Sequence, residues 1–120
     1  MKLSNEQVYI IYQNLIKLSS FELPIKISFA IAKNIQILQG TYQIIEEMRQ
    51  QIFLSAPHDD LGNGQIKIKE EAITEVNEKI KELSFQEAEY DLMTLNIEDI
   101  PPEVKLTAAE VEGLFPIFGQ

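Results

Sequence analysis

The sequence predicts an α+β fold: a helical hairpin with one long central helix, a small antiparallel sheet and two shorter helices. Three observations predict it. Ile27, Ile31, Ile35, Leu38, Tyr42, Ile45, Met48 and Ile52 recur at three- or four-residue steps, the spacing that keeps one apolar stripe along a helix. Pro57, Asp59, Asp60, Gly62, Asn63 and Gly64 then break the chain with turn formers. Beyond the break, Ile66 and Ile68, and later Ala88, Tyr90 and Leu92, alternate with polar residues, the two-residue period of a half-buried strand.

With 120 residues, one domain can bury a core without staples. Residues 1–53 form the hairpin, 54–64 a loop, and 65–120 a strand–helix–strand–helix part. There is no cysteine, which excludes disulfides and thiolate chemistry and fits a reducing cytosol, the expected location. No apolar run is long enough to cross a bilayer. Residues 1–53 carry a net charge of +1 and residues 54–120 one of −10. That imbalance argues against direct nucleic-acid binding, which needs Lys and Arg to neutralise phosphates. It allows an acidic face for a basic partner, or one that only keeps the protein soluble.

In chain order, Ser4 and Gln7 fit a capping box before a helix with Val8, Ile11, Leu15 and Leu18 on one stripe, ending near Ser19 and Ser20. Phe21-Glu22-Leu23 connects it to a second helix over residues 24–53, opened by Pro24 and roughly 45 Å long at about 1.5 Å per residue. So short a connector predicts an antiparallel or steeply crossed pair. Ile25, Phe29 and Ile37 lie off the main stripe, so the helix is apolar over much of its girth and should be covered on several sides. Gly40, mid-helix, costs about 1 kcal/mol against alanine; it permits a close approach, marks a bend, or is merely tolerated. Glu70 and Glu71 favour a helix start through the dipole, and Ile73, Val76, Ile80 and Leu83 stripe that helix as far as Ser84. Glu87 to Leu92 reads as a strand whose alternation shifts at Met93, Leu95 and Ile97, ended by Pro101-Pro102. Thr107 and Glu110 repeat the capping box before a short helix that Pro116 stops, with Ile117 and Phe118 beyond it.

The motifs that carry chemistry fail on spacing. His58-Asp59-Asp60 places adjacent groups that do not converge on one metal, and Leu61 falls where a calcium loop needs an oxygen. No Gly-x-Ser-x-Gly elbow exists, and no Gly-Lys-Ser/Thr follows Gly62 and Gly64. A glycosidase-type carboxylate pair depends on geometry that spacing does not reveal. No catalytic residue, metal or cofactor is therefore expected, and the protein is read as a non-enzyme. The acidic helix (Glu75, Glu78, Glu82, after Glu70 and Glu71) and strand (Glu87, Glu89, Asp91) form a candidate acidic partner face. Lys79 and Lys81 interrupt it, which weakens any mimicry of DNA phosphates. Ile27, Phe29, Ile31, Ile35, Leu38, Tyr42 and Ile45 form a candidate oligomer or partner interface, because so long a helix is hard for a small domain to cover.

Leu3-Ser4-Asn5-Glu6-Gln7, Leu23-Pro24-Ile25-Lys26 with Ala32-Lys33-Asn34, and Glu103-Val104-Lys105-Leu106-Thr107-Ala108-Ala109-Glu110-Val111-Glu112-Gly113-Leu114 resemble small uncharacterised proteins of tailed phages and prophages of Gram-positive bacteria. The resemblance is one of element order and spacing over most of the chain. It implies a phage or prophage origin and a binding role. The expectation is a homo-oligomeric protein that inhibits or sequesters a bacterial host protein, such as a defence component in the manner of an anti-CRISPR. A virion-assembly factor or chaperone is the alternative, as is a sponge that holds a signalling nucleotide between subunits through Lys26, Lys33, Arg49, Tyr9, Tyr12 and Tyr42.

Overall fold

Ser4 and Gln7 start the first helix by bonding each other's backbone. The Gln7 amide donates to Ser4 Oγ at 3.2 Å and the Ser4 amide to Gln7 Oε1 at 2.9 Å, satisfying donors that a helix start leaves open. A computed structural model of the chain describes residues 1–118. Lys2–Ser4 is a short strand, β1, followed by α1 (Asn5–Ser19) and α2 (Ile25–Ser55). The 31 residues of α2 reach about 46 Å, so this helix nearly spans the 49 Å long axis of the molecule. Arg49 lies over the Tyr9 ring while Tyr42 stacks on Tyr12; numbers rise along one helix as they fall along the other, so the pair is antiparallel.

Val8, Ile11, Leu15 and Leu18 of α1 meet Ile27, Ala30, Ile31, Leu38 and Ile45 of α2 in one core, which Leu3, Leu83, Leu95, Leu114 and Ile117 complete. The α+β class and the long central helix are as predicted. The strands are divided between two antiparallel pairs. Segment 54–64 is not the loop expected: Leu54 and Ser55 finish α2, and β2 (His58–Gly62) pairs with β3 (Gln65–Ile68). Aspartate and glycine are poor strand formers, so only pairing with β3 makes β2 a strand. Asn63 and Gly64 turn the chain with φ of 54° and 77°, the left-handed geometry of a two-residue hairpin loop.

A 3₁₀ turn over Glu70–Ala72 leads into α3 (Ile73–Ser84), which buries Val76 and Leu83 while Ile73 stays exposed. The expected strand after it is shorter than its alternation predicts. Only Glu87–Glu89, β4, pairs with β1, placing Leu3 opposite Ala88. Beyond Tyr90, Asn34 of α2 replaces the ladder: its Nδ2 donates to the Met93 carbonyl at 2.8 Å and its Oδ1 accepts from the Met93 amide at 2.7 Å. Asn34 is fully buried, and the two bonds satisfy both ends of its amide.

The second capping box also forms, Thr107 with Glu110, at the start of α4 (Ala108–Leu114). Gly113 lets α4 approach α1: a Cβ there would stand 2.6 Å from Asn14 Nδ2 and 2.7 Å from an Ile10 methyl. The chain then turns at Phe115–Ile117, burying Ile117, and Leu95 donates its amide to the Ile117 carbonyl at 2.7 Å.

Candidate functional site

The candidate α2 interface divides in two. Ile27, Ile31, Leu38 and Ile45 are buried in the chain's own core and are withdrawn as interface residues, because α1 and the C-terminal segments cover that stripe. Ile35 is half-buried in a cleft of about 420 Å³ beside Phe21 and Leu23. Tyr42 is held by α1. Phe29 alone of the seven is well exposed, at 61%. For the four buried residues the cover is the same chain.

Tyr42 belongs to an aromatic cluster at the α1–α2 seam. Its ring lies 4.1 Å from that of Tyr12 and 5.1 Å from that of Tyr9, with Arg49 5.1 Å from the Tyr9 centroid, within cation–π range. Burial of the Tyr9 phenol, then the Glu46 carboxylate beside it, pushes its pKa up to about 12, against the opposing pull of Arg49. The cluster gathers four of the six residues considered for a nucleotide. Lys26 and Lys33 project from the opposite side of α2, as their helical spacing from Tyr42 requires. Tyr42 stacks on both Tyr9 and Tyr12, so its ring is engaged within the chain.

The acidic candidates Glu75, Glu78, Glu82, Glu87, Glu89 and Asp91 are all exposed. Glu75 pairs with Lys79 at 3.2 Å one helical turn on, and Glu89 with the Met1 amino group at 3.3 Å. The group thus spans α3, β4 and the segment after it, and two of its members are neutralised locally. His58, Asp59 and Asp60 act within the hairpin: His58 Nδ1 lies 2.7 Å from the Ala56 carbonyl, Asp59 lies 3.8 Å from Lys69, and Asp60 accepts from the Gly62 amide at 2.9 Å. Among the described residues no three potential metal ligands come together, and no helix is long and apolar enough to cross a membrane.

The geometry best suited to binding lies where sequence reasoning placed a loop. The β2–β3 hairpin leans over the end of α2 and encloses a groove of about 550 Å³ lined by Gln50, Phe53, Leu54, Gly64, Ile66 and Ile68. None of residues 58–68 is buried, and Leu61 at the bulge is 59% exposed. Among the described residues each strand pairs only with the other, so both outer edges carry open N–H and C=O groups. The Ile66 and Ile68 alternation signalled β3; nothing local signalled the groove, which forms between segments. No protein family, curated protein or solved structure matches the chain.

Proposed function

We propose that this chain is a non-enzymatic protein of phage or prophage origin that binds a bacterial host protein in the cytosol and inhibits or sequesters it, a defence component above all. The observation that carries the reading is the β2–β3 hairpin. An isolated two-stranded hairpin is marginal in water, and this one combines two open edges, an exposed Leu61 and an apolar groove at its base. That is the equipment for strand addition, in which a partner's backbone extends the sheet and its side chains fill pockets. The net charge of −10 over residues 54–120 favours a partner with a basic surface around its docking strand.

The test is affinity capture by the tagged full chain from host lysate, with and without infection, followed by an activity assay of the captured protein. One host protein should be recovered from both lysates and lose activity in the purified complex. Leu61→Asp, at an exposed position, should weaken capture by about tenfold or more while leaving the melting temperature unchanged. Recovery of a phage structural protein only after infection would instead establish an assembly factor.

A further inference from the structure

The side of α2 turned away from its own core carries a pattern the fold leaves unexplained. From Asn34 to Ile45 the helix has no charged residue, although Gln36, Gly40 and Gln43 in that stretch are exposed. Solvated helix faces ordinarily carry charge; the centres of protein interfaces are depleted of it. Phe29 and Ile44, exposed at 61% and 56%, flank the same face, with Ile37 half-buried beside them. Gly40 stands at its middle. Gly62 and Gly64 are required by positive φ and Gly113 by the approach of α1, whereas a Cβ on Gly40 would meet nothing within 4 Å. A helix-weakening glycine with open space before it suits the close approach of a backbone from outside the chain.

The face is also self-complementary on reversal about Gly40. Lys33 and Glu47 stand seven positions to either side of it, and Ile37 and Ile44 three and four positions away. Two copies laid antiparallel therefore set each Lys33 against the other copy's Glu47, and each Ile37 against the other's Ile44, with glycine facing glycine at the axis. A two-fold interface demands such self-matching, and opposed helix dipoles favour the antiparallel sense. Among the described residues, neither Lys33 nor Glu47 joins an ion pair within the chain. We propose that a second copy of this chain docks on the outer face of α2, antiparallel, with the two-fold axis at Gly40. The surface is separate from the hairpin groove, so the two proposals stand or fall independently.

Sedimentation equilibrium of the full chain from about 1 to 300 μM, a span that reports micromolar association, tests this. The wild type should approach twice the chain mass. Lys33→Glu and Glu47→Lys should each weaken self-association by about tenfold, since every pairing becomes one of like charge. An equimolar mixture of the two variants should dimerise again, because the mixed pair restores opposite charge at both contacts. Gly40→Leu should abolish the dimer yet keep the monomer folded, as a better helix former in open space. A single-chain mass across the range would overturn the proposal. So would a dimer indifferent to Gly40→Leu, or a mixture that stays monomeric.

Discussion

Asn34 shows how one side chain can decide the path of a distant segment. Its amide presents a donor and an acceptor side by side, and the Met93 backbone presents the matching pair. The chain after β4 can thus leave its ladder without stranding buried polar groups. Asn34→Ala removes both partners at once and should destabilise the fold by about 3 kcal/mol, measured by urea denaturation. A loss below about 0.5 kcal/mol would mean that water replaces the side chain. Nothing in the sequence marks Asn34, because an asparagine within an apolar helical run looks the same whether it faces solvent or clamps a loop. Tyr9 shows the same dependence on surroundings: a phenol held protonated to about 12 reflects burial and the Glu46 carboxylate, neither visible from its local sequence.

At the scale of elements, capping was legible because it is local. Ser4 with Gln7 and Thr107 with Glu110 were identifiable from residues three apart, and both boxes form. The second has a tertiary addition: Lys17 of α1 forms an ion pair with Glu110, tying α4 to the hairpin. That contact, then the Thr107 backbone bond, lowers the Glu110 pKa to about 2 from the usual 4.5. A carboxylate depressed on folding contributes stability that is complete above about pH 4.5 and disappears as the pH falls towards 2. Glu110→Gln retains a cap but loses the charge. Its melting temperature should therefore lie below that of the wild type at pH 6 and converge with it over that acid window. A gap constant down to pH 2 would show that the pair contributes nothing.

For the whole molecule, stability should be graded along the long axis. The helical core holds nearly all the buried side chains, while residues 58–68 bury none. Amides of α1 and the middle of α2 should exchange only on global unfolding, and those of β2 and β3 by local opening, faster by about two orders of magnitude or more. Equal protection in the two regions would show that the hairpin is coupled to the core more tightly than its burial indicates. A hairpin of low local stability beside a rigid rod is an arrangement that a partner can order on binding.

By itself the sequence determined the α+β class, the four helices to within a few residues, the close α1–α2 pairing (though not its antiparallel sense) and both capping boxes. These follow from periodicity and from contacts three or four residues apart, which act wherever the chain lies. Tertiary structure alone decided that Ile27, Ile31, Leu38 and Ile45 face inward, that β2 forms from Asp- and Gly-rich sequence, that β1 pairs with β4, and that Asn34 holds Met93. Periodicity reports that a face is buried but not what buries it. On a helix apolar over most of its girth, only the packing of the other elements selects which side is core and which is left for a partner.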